Sequence, residues 1–182
     1  MITMIIRGSR LRQETSIMGT PYRADAVDAT LLLAMNRAPD ATTVALAETT
    51  GLARNTVRAR QQRYAHEMSL RSFERRIDPA FLGYPLRAFV VTTVKQRKLA
   101  AVGQSLSEIP EVLEVQGLSG VADLLIQVAA RDADDLYRIA GVILNIDGVK
   151  RTNTGLVMRD LVSYRITPLV ERVAYRPASA AR

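Results

Sequence analysis

The sequence contains no cysteine, one histidine and only three lysines among its 25 basic residues. Each scarcity closes off a class of function. Without cysteine there is no disulfide framework and no thiolate metal site. With His66 as the only imidazole, most catalytic triads and histidine-rich metal centres are excluded. No apolar run approaches the ~20 residues of a membrane-spanning helix, so no membrane partner is expected. The beginning of the chain carries Arg7, Arg10 and Arg12 but no clean apolar core followed by a cleavage site, which argues against a secretory signal. Nucleophile–base pairs, metal clusters and phosphate-cradling glycine loops are also missing, so the reading is not an enzyme, and neither a cofactor nor a metal is expected.

What is present is basic and globular. The chain has 182 residues, enough for one large domain or two small ones. Its 48% apolar and 24% charged content matches a soluble globular protein, with a cytoplasmic, nucleoid-associated location as the expectation. The formal charge is +7, and arginine supplies 22 of the 25 basic residues. Between residues 51 and 76 seven arginines face only Glu67 and Glu74. Such a basic cluster attracts a phosphate backbone and releases its counterions. A solvated basic face is the plainer alternative, and the pattern beneath the charge decides between them.

That pattern is TTVALAETTGLARNTVRARQQRY, Thr42 to Tyr64. Ahead of it, Val27, Leu31, Ala34 and Met35 give Ala24–Arg37 a helical apolar stripe, with Asp25 and Asp28 at its positive end. Pro39 and Asp40 close that helix. Thr42 or Thr43 caps the second helix, and Gly51 takes the positive φ that ends it. A third helix runs from about Arg54 to Glu67. Two helices joined by a glycine turn form a helix-turn-helix, whose second helix enters the DNA major groove. The candidate DNA contacts are Thr43, Arg54, Asn55, Thr56, Arg58, Arg60 and Arg63. Arginine reads guanine and asparagine reads adenine through paired hydrogen bonds, although most protein–DNA hydrogen bonds go to the backbone. His66, near the end of this helix, is read as structural or phosphate-adjacent.

The second module reads strand, helix, strand, strand, helix, strand. Its pieces are Leu86–Lys95, Lys98–Glu108, Val112–Leu118, Asp123–Ala130, a helix capped by Asp132, and Thr152–Met158, with Leu161–Ile166 also extended. This order is the ferredoxin-like βαββαβ arrangement, an antiparallel sheet with helices on one face. A second subunit is the simplest cover for the other face. The carboxylates Asp132, Asp134 and Asp135 suit the start of a helix better than a metal. The domains are therefore a flexible arm over 1–23, a helix-turn-helix domain over 24–78, a linker over 79–85, the ferredoxin-like domain over 86–168 and a flexible tail over 169–182. Leu70–Ile77 is read as extended. Either the arm is native or translation starts at Met18.

Three landmarks between Asp25 and Pro168 resemble the Lrp/AsnC, or feast/famine, family of transcriptional regulators. LAETTGLARNTV resembles the family's "LA…GLS…TV" core. IDPAFLGYP is similar to its junction into the second domain. EVLEVQGLSGVADLLIQV followed by NIDGVKRTNTGLVM resembles its G-x-x-D turn and its "GV…T.T" strand. The resemblance implies an α+β chain with an N-terminal winged helix-turn-helix and a C-terminal RAM domain. It further implies a sequence-specific regulator acting on double-stranded DNA, forming homodimers that associate to tetramers or octamers. An amino acid or related effector is implied near the G-x-x-D turn, with Ser119, Gly120, Val121, Ala122, Asp123, Thr152 and Thr154 as candidate contacts. Turn capping for Asp123 and ordinary strand roles for Thr152 and Thr154 are the plainer alternatives. The chain departs from the family at Ala53, usually a capping serine, and at Gln61, usually apolar. It departs again at Glu67–Met68, where a glycine is usual, and at Ala122, often aromatic. An altered effector turn leaves room for an architectural DNA-binding protein that needs no effector.

Overall fold

The structure, a computed structural model, describes residues 23–67 and 69–175. The arm expected over 1–23, apart from Arg23, lies outside the described residues, as do Met68 and the end of the tail, 176–182. In chain order the elements are α1 (Ala26–Arg37), α2 (Thr43–Thr50), α3 (Arg54–His66), β1 (Leu86–Val94), α4 (Leu99–Ser107), β2 (Val112–Gly117), β3 (Leu124–Ala130), α5 (Ala133–Leu144), β4 (Val149–Leu156) and α6 (Thr167–Ala174). They fall into two compact units, one running to Arg63 and resuming at Arg165, the other spanning Tyr64–Tyr164.

In the first unit, α1 starts at a reciprocal cap. The Asp28 N–H donates to Asp25 Oδ1 at 2.8 Å, and the Asp25 N–H donates to Asp28 Oδ2 at 2.9 Å. Two orphan donors of the first turn are thereby satisfied. Thr42 caps α2, its Oγ1 accepting from the Ala45 N–H at 3.2 Å. Gly51 ends α2 with a φ of 71°, which a side chain would strain. Ala29, Leu31, Ala34, Leu46, Ala47 and Val57 are buried.

The expected tail is different. Instead of a flexible segment from residue 169, the chain forms α6, which packs against α1. Pro168 sits at its start, where a missing N–H costs nothing. Thr167, Val170, Val173 and Ala174 are half-buried along one helical stripe, and Asn36 Nδ2 donates to Thr167 Oγ1 at 3.3 Å.

The second unit holds an antiparallel sheet in the order β2-β3-β1-β4. Val90, Val94, Ile126 and Val128 point to the helix side and pack with Val102 and Leu106 of α4 and Ile139 and Ile143 of α5. Fully burying one such side chain is worth about 1.5–3 kcal/mol. Among the described residues, the segment before β1 contains no strand. The extended piece expected over 70–77, where a wing would form, instead makes a 3-10 turn at Phe73–Arg76, and the linker over 79–85 holds another at Pro79–Leu82. Arg75 ties this segment to β2 through Glu114 at 2.7 Å. Residues 161–166, also expected to be extended, have no strand partner among the described residues and expose Leu161, Val162 and Tyr164.

Candidate nucleic-acid interface

The arginine-rich helix divides into two faces. With 3.6 residues per turn, Arg54 and Arg58 lie about 40° apart around α3, and Arg60 and Arg63 lie about 60° apart on nearly the opposite side. Arg54, Asn55 and Arg58 are exposed, and Thr56 is half-buried. Val57 is the fully buried anchor beneath them.

Arg60 and Arg63 turn toward α1. Arg60 Nη1 lies 2.8 Å from Asp25 Oδ2 and 2.7 Å from Asp28 Oδ1. Arg63 Nη2 lies 3.2 Å from Asp28 Oδ1. The Asp28 side chain is 0% exposed. Burial works against the charged form of Arg60, but its hydrogen bonds to Asp28 and Asp25 outweigh burial and raise its pKa above the ordinary value. Thr43 is also engaged, its Oγ1 donating to Gln61 Oε1 at 3.1 Å. That bond accounts for the glutamine at a position usually apolar: a polar pair joins α2 to α3 there. Sequence reading placed Asp25 and Asp28 only as helix-start carboxylates and missed them as arginine partners.

The candidate effector residues occupy two places. Gly120, with a φ of 128°, and the fully exposed Val121 form the tip of the β2–β3 turn. Ser119 is exposed beside them and Ala122 is half-buried. Asp123 stitches this turn to β1: its Oδ2 accepts from the Val94 N–H at 2.8 Å, and its own N–H donates to Thr92 O at 3.0 Å. Thr152 and Thr154 share a face of β4 and line a cleft of about 470 Å³ with Leu136, Tyr137, Ala140 and Leu144 of α5. Thr152 pairs with Thr92, which pairs on its other side with Leu124. At roughly 4.8 Å between strands, Thr152 is therefore about 10 Å from Leu124, which adjoins the Asp123 turn, and Thr154 lies farther along the sheet.

Comparison with known proteins agrees with this architecture. Residues 87–167 match the Lrp/AsnC ligand binding domain family. The chain is 32% identical over 141 residues to the HTH-type transcriptional regulator AldR of Mycolicibacterium smegmatis, covering 75% of this chain and 82% of that one. The structure of E. coli AsnC superposes with a TM-score of 0.72 at 23% identity, over 81% of this chain and 100% of that chain, a likeness of fold. A feast or famine regulatory protein of M. tuberculosis, complexed with L-methionine, superposes with a TM-score of 0.68 at 25% identity, over 78% of this chain and 96% of that chain. With a helix-turn-helix ahead of a ferredoxin-like sheet, and relatives of this kind over most of its length, the chain belongs to the Lrp/AsnC family of helix-turn-helix transcriptional regulators.

Proposed function

We propose that this regulator reads double-stranded DNA with the outer face of α3, through Arg54, Asn55 and Arg58, with Thr56 beside them. The observation that carries this reading is the exposure of those side chains at the start of the helix that follows the Gly51 turn. In this motif the N-terminal residues of the second helix meet base edges. A homodimer would present two such helices to a pseudo-palindromic site, and higher oligomers would bridge several sites. An amino acid is the effector class, in keeping with the L-methionine in the M. tuberculosis relative. The Ser119–Asp123 turn and the Thr152–Thr154 cleft are its candidate contacts. An effector shifts DNA binding only if it binds two assemblies with different affinity.

Gel-shift titration on the chain's own upstream DNA tests the proposal. Arg54→Ala with Arg58→Ala should weaken binding by about a hundredfold or more, since each arginine that pairs with a base edge is worth ~1–3 kcal/mol. Unchanged affinity in that double variant would overturn it. Competition with random duplex separates a specific regulator, which keeps a ratio of ~10³ or more, from an architectural binder.

A further inference from the structure

We infer that Asp25, Asp28, Arg60 and Arg63 form a clasp that sets the orientation of α3, making Arg60 and Arg63 positioning residues for DNA reading rather than DNA contacts. This rests on the DNA-binding reading above.

The clasp joins the first turn of α1 to the C-terminal half of α3. Asp28 spends Oδ2 on the Asp25 N–H and Oδ1 on both Arg60 and Arg63. Asp25 spends Oδ1 on the Asp28 N–H and Oδ2 on Arg60. The two carboxylates thus lock each other before they lock the arginines. With its side chain fully buried, the Asp28 charge requires a cationic partner. Pulling Arg60 or Arg63 onto a phosphate would take a cationic partner from that buried charge in exchange for an exposed, salt-screened interaction. The exchange is unfavourable, so these guanidinium groups stay with α1 when DNA binds.

Specificity and attraction should then depend on different residues. Phosphate attraction tolerates a small tilt of the helix, whereas paired hydrogen bonds to base edges do not. A loosened clasp lets α3 rotate or tilt while leaving Arg54 and Arg58 near the backbone. The ratio of specific to non-specific affinity falls, and the non-specific affinity remains.

The test uses the full chain, a duplex that the wild type selects from a random pool, and an unselected duplex of equal length, each titrated over a range of salt. Arg60→Gln and Arg63→Gln should each lower the affinity ratio about tenfold or more. They should leave binding to the unselected duplex within about twofold, with the salt slope unchanged. Arg54→Gln and Arg58→Gln, which remove the base readers themselves, should also lower the ratio, and on the unselected duplex, where those side chains lie against the backbone, should lower the slope by about 0.9 each. Asp28→Asn should also lower the ratio, although it makes the protein more positive. Arg60→Lys, which keeps the charge but not the fork, should recover only part of the loss. If Asp28→Asn does not fold by circular dichroism, the half-exposed Asp25→Asn carries the same test.

Two results would overturn the clasp. One is a slope lowered by about 0.9 in Arg60→Gln, with weaker binding to both duplexes. The other is an Asp28→Asn variant that binds both duplexes more tightly. A wild type that shows a ratio near one would defeat the DNA-reading proposal itself. The clasp is then judged without DNA, from the unfolding midpoints of the Asp28→Asn and Arg60→Gln double-mutant cycle. Coupled shifts support it, and additive shifts overturn it.

Discussion

Asp135 shows how tightly one carboxylate can be held. It accepts from the Arg131 N–H at 3.1 Å and Arg131 Nε at 3.2 Å, and from Arg138 Nε at 2.9 Å and Nη2 at 2.7 Å. The Arg131 side chain first, then its backbone N–H and the Arg138 side chain, hold this carboxyl well below the usual aspartate range. A depressed folded pKa gives stability that is complete above the unfolded value, about 4, and is lost as pH falls below it. Asp135→Asn should therefore unfold at a lower temperature than wild type near pH 7, with the gap narrowing from about pH 4 toward pH 2. Thermal unfolding across that range checks it, and parallel curves would refute the assignment. The sequence made Asp135 legible as a helix-start carboxylate but not as an arginine partner. The same holds for Asp25 and Asp28. A charge pattern gives sign and spacing along one helix, but Arg60 meets Asp25 across 35 residues, a closure that only packing decides.

Among elements, α6 is the sharpest departure from expectation. A polar, alanine-containing stretch after Pro168 reads as loose because its stripe is short: Val170 and Val173 are its larger apolar members. Pro168 was a usable signal, since proline suits the first turn of a helix as well as a break. Deleting residues 167–182 should destabilise α1 at the other end of the chain, raising hydrogen exchange over 26–37 while β1 and β3 keep their protection. Unaltered exchange in α1 would mean that α6 contributes nothing to that unit. The sheet was far more legible, because β-branched runs broken by turn residues, and two helices with apolar stripes between them, mark its elements along the chain. Residues 161–166 were not, since an alternating segment becomes a strand only when a neighbouring edge accepts it.

For the whole molecule, the helix-free side of the sheet is decisive. Phe89, Val91, Leu113 and Leu125 lie there, with Phe89 38% and Leu113 46% exposed. An apolar sheet face of this kind calls for a cover, and the homodimer proposed above would supply one. Phe89→Asp should shift the protein to smaller species in sedimentation velocity, and unchanged sedimentation would place the interface elsewhere. The return of α6 to the first unit also bears on the chain's birth. On the ribosome, the contiguous stretch Tyr64–Tyr164 has all of its parts before the earlier unit does. Domains generally fold as units, N-terminal first, and this topology reverses that order. Prematurely terminated products that stop after the sheet lack the helix that packs on α1, so the completed genetic reader emerges only once Thr167–Ala174 has been made.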